Sequence, residues 1–185
     1  LPADPEAHAL LLTAGIARDH GLPLDTGVHA VVEEVLEDLA ARERAAHAGL
    51  VNVEFVIRDA EELEFDEESF DAVLSRATLM FLPDVAGTLK RLRGFLKPGG
   101  RLAASVWGPQ PLVQFSAAFP VVVSELGLPS PPPGRPGAFA LSDPDRLVEL
   151  MSKAGFRDVA TGTVSVMFET DSPEQYTEFI RDVAP

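Results

Sequence analysis

The chain has 185 residues, 46% of them hydrophobic, which is enough for one core of ordinary domain size. Its 29 acids against 15 bases give a net charge of −14, and with no basic patch in the sequence a polyanionic partner such as nucleic acid is excluded. There is no cysteine, so disulfides and thiolate chemistry are excluded, and the histidines (His8, His20, His29, His47) lack metal-ligand spacing, so no metal is expected.

The N-terminus lacks the basic stretch of a signal peptide, and no apolar run approaches ~20 residues. Neither a leader nor a membrane span is indicated, and a cytoplasmic location is expected. The first residue is leucine, which hints at an incomplete translation product.

In chain order, residues 5–20 have helical spacing through Ala7, Leu10, Leu11, Ala14 and Ala17, and end at Gly21 with Pro23 beyond it. Leu22 to Gly27 is a loop, and Val28 to Val32 fits a short strand. Glu33 to Ala48 predicts an amphipathic helix with Val35, Leu36 and Leu39 on its stripe, an Asp38–Arg42 pair at i,i+4, and Gly49 as its stop.

Asn52 to Gly108 carries the densest pattern. Val53, Phe55 and Ile57 form a largely buried strand that runs into Asp59-Ala60-Glu61-Glu62, placing a carboxylate at a strand's C-terminal end, the edge where open α/β sheets bind ligands. Phe70 to Ser75 is a second short strand. Asp84 is an N-cap for a helix over 85–95, and Lys97-Pro98-Gly99-Gly100 stops it. Leu102 to Trp107 is the next strand. The order β-loop-β-α-β predicts a parallel sheet with a right-handed crossover.

Beyond it, 112–126 is an apolar helix that Pro120 should kink or split, and 130–137 is a stiff proline-rich loop. Ser142-Asp143-Pro144 opens a helix closed by Gly155. Residues 160–168 alternate as a half-buried strand, and Ser172-Pro173-Glu174 starts a last helix to about Val183.

Three pieces carry a resemblance: Arg58-Asp59-Ala60-Glu61-Glu62-Leu63, Ser69-Phe70-Asp71-Ala72-Val73, and Leu96-Lys97-Pro98-Gly99-Gly100-Arg101-Leu102. In this order and at this spacing they resemble the second half of a class I S-adenosylmethionine (SAM) dependent methyltransferase, of the small-molecule branch that includes the ubiquinone and menaquinone biosynthesis enzymes. The resemblance is strong over about 41–108, moderate over 138–180 and poor before residue 40. It implies a single domain with a Rossmann-like, mostly parallel sheet sandwiched by helices, and a helical lid inserted after the fifth strand at 109–141. It also implies a glycine-rich turn after the first strand, yet Gly15, Gly21 and Gly27 stand isolated with no strand ahead of a G-x-G. A further family strand would have to follow Pro185, so the chain is expected to be incomplete at both ends.

The implied cofactor is SAM, with S-adenosylhomocysteine as product. Asp59 would hold the adenine amine and the Ala60 amide a ring nitrogen, while Ser75, Arg76 and Ala77 border the methionine end. Asp38, with Glu33 and Glu34 as rivals, is a candidate for the ribose, set against a solvated helix face for all three. Met80, Phe81, Trp107 and Phe115 are candidates for the acceptor, set against core packing. The run Glu61 to Glu68 is a solvated acidic face without the spacing of a calcium loop. The expected activity is methyl transfer to a small, partly apolar acceptor at oxygen, carbon or nitrogen, with no catalytic acid or base singled out. The alternative is a non-catalytic remnant serving as a subunit or scaffold. A nicotinamide-dependent oxidoreductase is disfavoured, since it needs the same glycine fingerprint. Acceptor identity and oligomeric state are left open.

Overall fold

The computed structural model describes residues 8–13, 27–32, 42–127, 134–167 and 169–183. Five strands, β1 (His8–Thr13), β2 (Gly27–Val32), β3 (Val53–Ile57), β4 (Phe70–Arg76) and β5 (Leu96–Ser105), form one sheet in the order β3-β2-β1-β4-β5. Every pairing in it is parallel.

The central strand β1 overturns the helix expected over 5–20. Ala9-Leu10-Leu11-Leu12 is a continuous apolar run, which is how a central strand of a parallel sheet reads, and such a run also satisfies helical spacing. Residues 42–47 (α1) are helical, at the end of the helix expected over 33–48, whose residues 33–41 lie outside the described ones. Arg42 lies 5.1 Å over the Phe55 ring and donates from Nη2 to the Phe55 carbonyl at 3.0 Å, which fastens α1 to β3. The expected Asp38 partner is outside the described residues.

The helix predicted over 85–95 is α2 (Val85–Phe95), capped by Asp84, whose side chain accepts from Gly87 N–H at 2.9 Å. Its Leu89, Leu92 and Phe95 are buried with Val73 of β4 and with Leu147, Leu150 and Met151 of α4 (Pro144–Lys153). Leu102 and Ala104 of β5 pack on this cluster, whereas Arg101, Ala103 and Ser105 on the opposite face are exposed. Phe65 closes one side of the core with edge-on contacts to Phe70 and Phe95, at 5.1 and 5.5 Å between centroids. On the other side Arg93 Nε donates to the Gly155 carbonyl at 3.0 Å, joining α2 to the end of α4.

Lys97-Pro98-Gly99-Gly100 ends α2 as expected but belongs to β5, not to a turn before it. Phe70 pairs with Leu96 while Ala72 pairs with Arg101, so the run bulges out of the ladder. Gly99 has φ +84, and a Cβ on Gly100 would stand 2.9 Å from the Lys97 carbonyl oxygen, so both glycines are required by the bulge. Lys97 Nζ meets Asp71 Oδ2 at 2.8 Å beside it.

Pro120 does not kink a helix. Two 3-10 turns, Gln110–Leu112 and Gln114–Ser116, precede α3 (Ala118–Glu125), so Pro120 falls in the first turn of α3, where its missing N–H has no intrahelical partner to lose. The strand expected over 160–168 is absent among the described residues: 159–167 has no regular structure and its residues are mostly exposed. The last helix is α5 (Pro173–Val183), with Ser172 Oγ accepting from Gln175 N–H at 3.2 Å.

Candidate functional site

The five strands end in one row. Thr13 pairs with both Val32 and Arg76, Val32 with Ile57, and Arg76 with Ser105, and each of these five is the last residue of its strand. Whatever follows each strand therefore leaves the sheet at a common level. From β3 to β4 the row crosses three strand spacings, about 14 Å. This carboxyl edge is the ligand-binding edge of open α/β sheets.

At the β3 end the chain makes a tight turn. Asp59 is exposed, its Oδ1 accepts from Glu61 N–H at 2.7 Å, and its carbonyl accepts from Glu62 N–H at 3.0 Å. The first bond orients the carboxylate and leaves Oδ2 available to a donor. Ala60, only 2% exposed, anchors the turn in the core with Leu63. Glu61 Oε1 accepts from Asp84 N–H at 2.7 Å, so the same turn is tied to the start of α2. The remaining acids, Glu62, Glu64, Asp66, Glu67 and Glu68, are exposed.

At the β4 end the backbone is forced into an uncommon shape. Ala77 has φ +54, its N–H donates to the Ser105 carbonyl at 2.9 Å, and Thr78 Oγ1 donates to the Arg76 carbonyl at 3.2 Å. Ser75 is 3% exposed, and its Oγ has no hydrogen-bond partner among the described residues. A buried hydroxyl in that condition costs stability unless something supplies a partner. Arg76 is exposed. No sequence pattern signals the orphaned hydroxyl, since a strand-end serine is unremarkable until its neighbours are known.

The structure spreads the acceptor candidates over different environments. Met80 is 1% exposed and belongs to the hydrophobic cluster, Phe81 is 40% exposed, and Trp107 is half-buried against the cluster just past β5. Phe115 lies in the second 3-10 turn, and its side chain is outside the described ones. Asp38, Glu33 and Glu34 also fall outside the described residues, although Glu33 is next in sequence after β2. Likewise Gly15 follows β1 by two positions, so a strand does precede a glycine there, in the sequence Ala14-Gly15-Ile16-Ala17.

Two backbone hydrogen bonds tie this turn to later parts of the chain. The Ser105 carbonyl at the end of β5 accepts from Ala77 N–H, and Gly137 N–H donates to the Met80 carbonyl at 2.9 Å where the chain returns after α3. Among the described residues two carboxyls are held below their ordinary range, both away from this edge: Glu149 on α4, by hydrogen bonds from Lys153 and Arg146, and Glu174 on α5, by its backbone amide and Ser172.

Residues 26–104 match the family model for a methyltransferase domain. The chain is 37% identical over 84 residues to the aklanonic acid methyltransferase DauC of Streptomyces sp. (strain C5), covering 45% of this chain and 34% of that protein. It is 35% identical over 105 residues to the demethylmenaquinone methyltransferase of Clavibacter sepedonicus, covering 56% of this chain and 43% of that protein. The chain spans less than half the length of these curated relatives. In fold it is similar to phosphoethanolamine N-methyltransferase 2 of Haemonchus contortus in complex with S-adenosyl-L-methionine, with a TM-score of 0.59 and 21% identity over 98% of this chain and 40% of that one. The parallel sheet in this strand order is the Rossmann-like sheet of that fold.

Proposed function

We propose that this chain, which is homologous to class I SAM-dependent methyltransferases, serves to transfer a methyl group from SAM to a small, partly apolar acceptor at oxygen, carbon or nitrogen. The observation that carries the proposal is the level carboxyl edge, with Asp59 and Ala60 at the β3 end and Ser75 to Ala77 at the β4 end. A gap of about 14 Å between those ends suits an elongated ligand with a purine at one end and an amino acid at the other.

The residues present fit that cofactor. Asp59 keeps Oδ2 for the adenine amine while Oδ1 is fixed by Glu61 N–H, and the Ala60 amide lies beside it for a ring nitrogen. Ser75 Oγ, which has no hydrogen-bond partner among the described residues, supplies a buried polar group at the opposite end, two residues before the Ala77 turn. When bound, SAM supplies an electrophilic methyl group on a sulfonium sulfur. The chain's own part is to hold donor and acceptor in line and to keep water out, and proximity alone supplies much of such a rate. Among the described residues the edge shows no paired acid and base, which is adequate for an acceptor that is already nucleophilic.

Calorimetric titration with S-adenosylhomocysteine tests the reading. The wild-type chain is expected to bind, and Asp59→Ala to bind at least about ten-fold more weakly, since a hydrogen bond to a charged acceptor contributes roughly 1.5–3 kcal/mol. A folded protein that does not bind would sink the transferase reading and favour the non-catalytic subunit.

A further inference from the structure

The solvated face expected for the run from Glu61 to Glu68 holds for all but its first acid. Glu62, Glu64, Asp66, Glu67 and Glu68 are exposed, whereas Glu61 is half-buried and its Oε1 accepts from Asp84 N–H at 2.7 Å. That donor is held from two further sides. Asp84 Oδ1 accepts from Gly87 N–H at 2.9 Å, and its carbonyl accepts from Thr88 N–H at 3.0 Å. Thr88 and Leu89 are buried, so the Asp84 amide takes its direction from a helix fixed in the core.

Through its backbone the same glutamate meets the turn after β3, where its N–H donates to Asp59 Oδ1 at 2.7 Å. Three bonds thus run in series from α2 to the exposed carboxylate: Gly87 N–H to Asp84, Asp84 N–H to Glu61, and Glu61 N–H to Asp59. They join parts of the chain that the sheet keeps apart, since β2 and β1 lie between β3 and β4. Ala60 and Leu63 share the core cluster of Leu82 and Leu89, which sets the depth of the turn. Apolar burial has no direction, however, and an exposed carboxylate is aimed by its hydrogen bonds. With the Glu61 side chain released, the peptide unit that donates to Asp59 could rock, and the carboxylate would swing with it.

We propose that Glu61 is a positioning residue: tied to Asp84 N–H, it orients the amide that aims Asp59 at the amine of a purine. The inference rests on the transferase reading above for the purine itself. In this role Glu61 acts through Asp59 and touches no part of the ligand.

The test titrates two ligands into the full chain by calorimetry, S-adenosylhomocysteine and S-inosylhomocysteine, which carries a carbonyl oxygen where adenine carries its amine. A carboxylate aimed at that position accepts from the amine and repels the oxygen. The wild type should therefore prefer S-adenosylhomocysteine at least about ten-fold. Glu61→Ala should narrow the preference about three- to ten-fold, with binding of S-inosylhomocysteine close to the wild-type level, which also reports that the variant folds. Glu61→Asp keeps the charge but shortens the reach, and should narrow the preference as well. Glu61→Gln can still accept from Asp84 N–H and should retain it. In an Asp59→Ala background, Glu61→Ala should leave the ratio where Asp59→Ala alone puts it.

Equal losses for both ligands in Glu61→Ala would overturn the proposal, because Glu61 would then only stabilise the turn. An unchanged preference in Glu61→Ala and Glu61→Asp would overturn it too, as would a preference narrowed as much by glutamine as by alanine, which would make charge and not the bond the cause. In each of these cases the wild type still binds S-adenosylhomocysteine, and the transferase reading stands. A folded wild type that binds neither ligand would remove that reading, and the role of Glu61 with it.

Discussion

At Ala77 a single residue concentrates the strain of the carboxyl edge. Its φ of +54 lies in the left-handed region, which costs a residue with a Cβ about 1 kcal/mol or more. The bond from its N–H to Ser105 and the bond from Thr78 Oγ1 to Arg76 hold it there. Ala77→Gly should therefore raise the free energy of unfolding by about 0.5–1 kcal/mol, part of the relief being offset by the greater freedom of glycine in the unfolded chain. Ala77→Val should lower it by about 2 kcal/mol, because a β-branched residue is a true outlier in that region. Urea titrations of the two variants that moved in the same direction would contradict this account. Residue-level chemistry was legible only in part. Asp59 and Ala60 stood out because a carboxylate followed a strand, and the strand is there. Met80 offered the same sequence signal as its exposed neighbour Phe81, yet one is in the core and the other is not, a difference set by the 3-10 turn and not by residue type.

At the scale of elements, α2 was legible from its stripe and its cap, but the reason for Gly87 was not. A Cβ there would stand 2.2 Å from Asp84 Oδ2, so the glycine makes room for the capping carboxylate. Glycine to alanine in a helix ordinarily gains up to about 1 kcal/mol, whereas loss of a cap costs about 1 kcal/mol. Gly87→Ala should thus give no gain in the wild type and a gain of about 1 kcal/mol in an Asp84→Ala background. Additive effects in thermal or urea unfolding would show that glycine and cap are independent. The misread elements share a cause. β1 has no alternation because a central parallel strand needs none, while 160–168 has good alternation and forms no strand among the described residues. Pattern reports which faces a segment can bury, and pairing depends on whether a partner edge is presented to it. Val164 is 85% exposed, so Val164→Asp should change stability by less than about 0.5 kcal/mol. A loss of about 2 kcal/mol or more, measured by urea unfolding, would mean that this segment pairs in solution after all.

For the whole molecule, the feature that makes a site out of scattered residues is register, and register is what a single strand's pattern cannot state. No strand's own pattern could state that Ile57, Val32, Thr13, Arg76 and Ser105 would align as one row. The three family-like pieces conveyed the parallel order, and the level edge follows from the pairings. The same holds for the segment after β5. Its apolar and proline-rich stretches were legible, while the bond from Gly137 N–H to the Met80 carbonyl leaves no mark in the side chains. This gives a test of whether that bond holds the returning chain. Gly137 has open space where a Cβ would stand, so Gly137→Ala keeps the bond, whereas Gly137→Pro removes the N–H and sets its ring Cδ against the Met80 carbonyl oxygen, forcing the two apart. The proline variant should be cleaved faster between residues 109 and 141 under limited proteolysis, with binding of S-adenosylhomocysteine unchanged, and the alanine variant should behave as wild type. If proline and alanine act alike, the Gly137–Met80 bond does not hold this segment, and the burial of Leu141 in the core must do so.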